Sequence, residues 1–217
     1  MTQMHPLKLL AACYVLIWGV MAISPVSRVD WLIQNAAPSV FIVALLTSYK
    51  RFRFSTLSYL LITLFMILHV IGSHYTYAQV PLGDWMKDAF GLNRNGFDRL
   101  VHFCFGLLLT HPLCEMLLRV LKVNRPVAVT LSVSAVLGLS AIWEILESWL
   151  AQVVSPGTGL NYLGAQGDIW DSQNDMAVAL FGSLMSVVVA AVAQRLWRRD
   201  KITSGPDAGF EPSKLST

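Results

Sequence analysis

Charge is what this chain has least of. Asp, Glu, Lys and Arg make up 13% of its 217 residues, against 55% hydrophobic, where soluble domains average about a quarter charged. The charges are also gathered, leaving charge-free windows at 9–27, 31–49, 54–83, 100–114, 126–143, 148–167 and 176–194. Several reach the roughly twenty residues that a bilayer-crossing helix needs. That excludes a soluble domain. The net charge of +3 lies in short basic clusters between apolar runs, a pattern that excludes a nucleic-acid partner. Cysteine is scarce too: Cys13, Cys104 and Cys114 all fall in apolar stretches. An odd number with no C-x-x-C spacing builds neither a disulfide framework nor a thiolate metal site, so they are small core hydrophobes. No classical nucleophile motif, glycine-rich phosphate loop, H-E-x-x-H or dinucleotide fingerprint is present.

What is there reads as an all-α integral membrane protein. Six spans fit the windows, at about 7–24, 32–49, 54–73, 98–121, 127–153 and 173–197, in one domain covering 1–200. The first run is too long for a signal-peptide core, and Ser24-Pro25 stands where a small-residue cleavage site belongs, so it is expected to be retained. Of 16 Lys and Arg, 12 lie at the N-terminus, in the turns after spans two and four, and in the tail. The positive-inside rule then makes both termini cytoplasmic and three loops external. In the second outer loop, Leu82, Trp85, Met86, Ala89 and Phe90 recur at helical spacing against Asp84, Lys87 and Asp88. Pro81 opens this piece and Gly91 closes it, which predicts a short amphipathic helix in the outer headgroup layer. The third outer loop, 155–172, holds Gly157, Gly159, Gly164 and Gly167 without Lys or Arg, and suggests a tight fold-back. Residues 201–217 lack apolar periodicity and are expected to be a disordered cytoplasmic tail.

Placing the ionisable residues on this topology gathers them at one end. His69 and His74 close the third span, with Tyr75 and Tyr77 beyond; Asp98, Arg99 and His102 open the fourth. Glu144 and Glu147 lie in the outer half of the fifth, and Asp168, Asp171, Gln173 and Asp175 lead into the sixth. Asp98/His102 and Asp171/Asp175 are i, i+4 pairs and Glu144/Glu147 an i, i+3 pair, so each pair shares a helix face. A carboxylate at mid-membrane costs about 2.5–3.5 kcal/mol on insertion scales, which favours a shared polar cavity over isolated acids. On the cytoplasmic side, His111 and Glu115 are the exceptions in otherwise apolar half-spans, and Glu115 can pair with Arg119 at i, i+4.

Three stretches carry a resemblance: Phe97-Asp98-Arg99-x-x-His102-Phe103-x-x-Gly106, Trp143-Glu144-x-x-Glu147, and Gly167-Asp168-x-x-Asp171-x-Gln173-x-Asp175-Met176. Together they resemble the YjdF-type inner-membrane proteins, a family of unknown function, over nearly all of 7–197. A fainter likeness is to VanZ-like membrane proteins, which usually have Asn where this chain has Asp175. Neither resemblance implies a reaction.

Each constellation has a plain reading beside a functional one. Asp98 suits a helix start by capping and by the macrodipole. His69 and His74 suit satisfied interfacial histidines. Glu144 and Glu147 suit ion pairs with Arg94 or Arg99, and Trp143, Trp149, Tyr162 and Trp170 suit an aromatic belt. The functional reading takes Asp98, His102, Glu144, Glu147, Asp171 and Asp175 as catalytic. It takes His74, His102, Glu144, Asp168, Asp171 and Asp175 as ligands for a divalent metal, Zn²⁺, Mn²⁺ or Mg²⁺. The site then opens on the outer leaflet toward a lipid or lipid-linked phosphate. A proton- or cation-coupled transporter is the second class, kept open by His111 and Glu115. A structural or regulatory bundle held by ion pairs is the third.

Overall fold

The computed structural model describes residues 4–153 and 166–203, and among these there are seven helices and no strand. They are α1 (Met4–Met21), α2 (Arg28–Ser48), α3 (Thr56–His74), α4 (Pro81–Phe90), α5 (Phe97–Arg119), α6 (Arg125–Val153) and α7 (Asp171–Thr203). Most of the third expected outer loop, with Tyr162, and the tail from 204 onward lie outside the described residues. Five helices, α2, α3, α5, α6 and α7, are long and apolar enough to cross a membrane; the apolar part of α1, Pro6–Met21, is shorter.

Burial is inverted relative to a soluble protein. Among the described residues the interior holds more buried polar and charged side chains than buried hydrophobic ones, while Leu16, Val40, Leu46, Val188 and Val189 are more than half exposed. A bundle whose outside is apolar and whose inside is polar is matched to hydrocarbon as its solvent.

α5 lies at the centre, packing on α7 most extensively and on α3 and α6 to either side. Its crossing with α7 is built on glycine. A Cβ on Gly106 would strike the Ala179 carbonyl, and one on Gly182 would strike the Phe103 carbonyl. Close backbone approach of this kind is how membrane helices pack where no hydrophobic effect drives them together. Thr110 and Ser183 share a 2.6 Å hydrogen bond across the same crossing.

α1, α2 and α3 are joined by polar contacts. Asn35 accepts from Trp18 Nε1 at 3.0 Å and donates to Ser73 Oγ at 3.2 Å. Pro38 lies inside α2 and supplies no amide to the carbonyl one turn back, at Gln34. His69 Nε2 takes that carbonyl at 3.0 Å, and Tyr77 Oη meets its Nδ1 at 2.6 Å. Nε2 therefore donates to the carbonyl and Nδ1 is met by the hydroxyl, so both nitrogens of the imidazole are satisfied. It is a structural histidine.

α4 has the ends its composition demands: Pro81 at the first position and Gly91 closing it at φ +62°. Asn95 holds this helix to α5. Its Nδ2 donates to Val80 O at 3.0 Å and Asp84 Oδ1 at 2.8 Å, while its Oδ1 accepts from Phe97 N at 3.1 Å. Its backbone exchanges two hydrogen bonds with the Gln166 side chain, at 3.0 and 3.1 Å. Gly167 follows at φ +89°, a conformation that excludes most side chains, and turns the chain toward α7.

Candidate functional site at the α5–α6–α7 end

The α5 N-terminus, the second half of α6 and the α7 N-terminus meet at one end of the bundle. Asp98, His102, Glu144, Glu147, Asp171 and Asp175 are all buried there, with at most 7% of any of them exposed. Two arginines enter from the α5 side. Arg94 pairs with Asp171 and lies 3.9 Å from Asp168; Arg99 pairs with Asp168, 3.8 Å from Asp171 and 4.0 Å from Asp175. The guanidiniums are thus committed to the α7 side, and Glu144 meets His102 instead.

His102 is the hinge of the cluster. Its Nδ1 lies 3.4 Å from Ser140 Oγ, and its Nε2 lies 3.3 Å from Glu144 Oε1 and 3.9 Å from Asp98 Oδ1. The 3.3 Å approach lacks hydrogen-bond alignment: Glu144 Oε1 and Asp175 Oδ1 are buried without a hydrogen-bond partner. Asp98, His102 and Asp175 each offer one ligand atom, all within 4.8 Å of one another. Six carboxyl groups share this end with two arginines, so acidic groups outnumber the basic ones. Buried excess charge is costly unless a cation or shared protons offset it.

The rim behaves differently. Asp168 is partly exposed. Its Oδ1 accepts from Trp170 N at 3.0 Å and its Oδ2 from Asn174 Nδ2 at 3.3 Å, so it folds the entry to α7. The Trp170 amide first, and then Arg99, hold its carboxyl below the ordinary carboxylate range.

The expected ligand set is therefore redistributed. His102 and Asp175 stand together with Asp98, and Glu144 stands against His102. Asp171 and Asp168 are taken up by arginines. His74 is elsewhere: its Nδ1 meets the Met21 carbonyl at 2.8 Å, tying the end of α3 to α1. Trp143 is not a belt residue. Its Nε1 donates to Glu147 Oε1 at 2.9 Å and its ring stands edge-on to His69 with centroids 6.1 Å apart. Trp149 and Trp170 are exposed. Ser140 and Asn95 were not legible as site or support residues, and Arg94, expected as a partner of Glu144 or Glu147, pairs with Asp171 instead.

Two openings reach the cluster. A 460 Å³ cavity has Asp98, His102, Ser140 and Trp143 at its head and runs between α3 and α6 along α5. A smaller one, 310 Å³, opens between α6 and α7 at Glu144, Ser148 and Ser172. The His102–Glu144 contact stands between them.

These features define a multi-pass helical membrane protein with a buried histidine–carboxylate–arginine cluster at one end of its bundle. The chain belongs to the family described as "Predicted membrane protein (DUF2238)", whose pattern matches residues 6–196. It is 36% identical over 170 residues to "Inner membrane protein YjdF" of Escherichia coli (strain K12), an alignment covering 78% of this chain and 81% of that protein. No solved structure matches it.

Proposed function

We propose that this is an inner-membrane enzyme in which Asp98, His102 and Asp175 hold a divalent cation, Zn²⁺, Mn²⁺ or Mg²⁺, and act on a lipid or lipid-linked phosphate. One observation carries the reading: three ligand atoms from α5 and α7 lie within 4.8 Å, and one buried oxygen of Asp175 lacks any hydrogen-bond partner. Mixed imidazole and carboxylate donors suit these ions. A bound cation makes water a nucleophile near neutral pH. Glu144, which lines the opening between α6 and α7, would take the proton of a water attacking the phosphorus and pass that same proton to the ester oxygen as its bond to phosphorus breaks.

Six crossings with cytoplasmic termini put this cluster on the outer leaflet, with α4 in the headgroup layer. The basic turns after α2 and α5 support that orientation, since they lie at the bundle end opposite the cluster. The exposure of Leu82, Trp85 and Phe90 on α4 fits contact with lipid. The relative's printed name supports the inner membrane. Transport is the weaker reading, because it requires a polar route through the bundle. Below His102 the cavity is lined by Phe105, Leu109 and Leu113, and Glu115 is occupied by Ser55, Ser58 and Arg119.

Elemental analysis of the purified protein tests the proposal. About one equivalent of metal is expected in the wild type and close to none in His102→Ala, since a ligand is lost. A wild type without stoichiometric metal overturns the metal site.

A further inference from the structure

The larger opening has a shape that the metal site does not require. Along α5 its floor is Asp98, His102, Phe105, Leu109, Leu113 and Met116, one helical stripe. α3 and α6 form its walls, and Pro38 and Phe41 of α2 form part of its lip. Its polar side chains, including His69, Tyr77 and Ser140, are at the head, and from Phe105 to Met116 the floor has no charge. His69 and Trp143 close the head where α3 and α6 approach over α5. From His102 to Met116 the helix rises about 21 Å. That exceeds the half-thickness of a hydrocarbon core of about 30 Å.

We infer that this furrow seats one hydrocarbon chain of a membrane lipid phosphate, entering sideways between α3 and α6 and placing its head group at Asp98 and His102. The inference rests on the proposed lipid-acting site and names how its substrate is held. Three observations select this occupant. The furrow lies within helices apolar enough to cross a membrane, so hydrocarbon is what surrounds it. Its polarity is confined to one end, matching an amphiphile with one head. That head end is continuous with the cluster through Asp98 and His102, so a chain drawn into the furrow delivers its phosphate to the ligand atoms. The separate opening at Glu144 leaves water its own access. A lipid held by its chain and positioned by its head converts chain burial into orientation at the reacting atom.

The test uses the full chain in phosphatidylcholine nanodiscs with palmityl phosphate carrying a diazirine midway along its chain, and mass spectrometry of the labelled peptides. Labelling is expected on the α5 peptide around Phe105 and Leu109 and on the α6 peptide around Leu139 and Ile142. Leu109→Trp, which fills the furrow, is expected to lower that labelling about tenfold. Val188→Trp, on the exposed face of α7, is expected to leave it unchanged. Bound metal in Leu109→Trp reports that the cluster end is intact. Labelling spread over α7 and indifferent to Leu109→Trp means boundary lipid only and overturns the inference. Loss of the furrow label with metal retained in the wild type rejects the furrow and spares the metal site. Specific furrow labelling of a metal-free protein does the reverse.

Discussion

The two ends of α5 both meet acids drawn in from solvent, and they treat them in opposite ways. At the far end Glu115 accepts from Ser55 N and Ser55 Oγ, each at 2.8 Å, and also from Ser58 Oγ and Arg119. Its oxygens are occupied, and the acceptors complete the start of α3. At the near end Asp175 and Glu144 each leave a buried oxygen without a hydrogen-bond partner. A saturated carboxylate is what a fold keeps for stability; an unsatisfied one costs stability and persists where something else retains it. The two ends of one helix thus border a saturated acid and a pair of unsatisfied ones, told apart by counting the donors that reach each oxygen rather than by charge.

Replacing one acid at each end breaks or sharpens that contrast. Asp175→Asn has the larger expected effect: metal affinity falls by about 100-fold or more, while the melting temperature of the metal-free protein stays level or rises, because a buried charge is removed. Metal titration and thermal unfolding in detergent read the two quantities separately. If the metal-free variant is strongly destabilised, the near end is structural after all. Glu115→Gln is expected to do the converse. It costs about 1–3 kcal/mol by disturbing a saturated acceptor, seen as a lower unfolding temperature, with metal content unchanged.

Much of this arrangement was legible from residues alone, and the limits have physical causes. Hydropathy located the long helices because a bilayer demands unbroken apolar length. Pro81 and Gly91 marked α4 because helix ends have their own chemistry. The gathering of His102, Glu144 and Asp175 followed from alternating helix direction. Pairing did not follow, since nothing in the order of residues tells Arg94 to choose Asp171 or His102 to choose Glu144. Trp143 was indistinguishable from a belt residue until its rotation about the α6 axis was known. His69 required knowing that Pro38 had left a carbonyl free on a neighbouring helix. Gly106 entered only as the end of a motif and Gly182 as an ordinary residue of an apolar run, because a close crossing is a property of two helices.

The smallest expected effect lies at the rim, where Asp168 joins the two kinds of acid. It is hydrogen-bonded like Glu115, yet it faces solvent and pairs with Arg99, which also reaches toward Asp175. Its carboxyl is held below its ordinary value of 3.8 by the Trp170 amide and by Arg99. A depressed acid contributes stability that is fully present above the ordinary value and lost as pH falls through the lower folded one. Asp168→Asn is therefore expected to lower the unfolding temperature slightly near neutrality, with the gap to wild type closing only below about pH 4. Added salt narrows that gap, because the Arg99 pair is partly exposed. A gap that persists unchanged into strong acid means that shape, not charge, makes Asp168 useful. Arg99 is then free to answer to Asp175, and the rim belongs to the cluster rather than to the α7 entry turn.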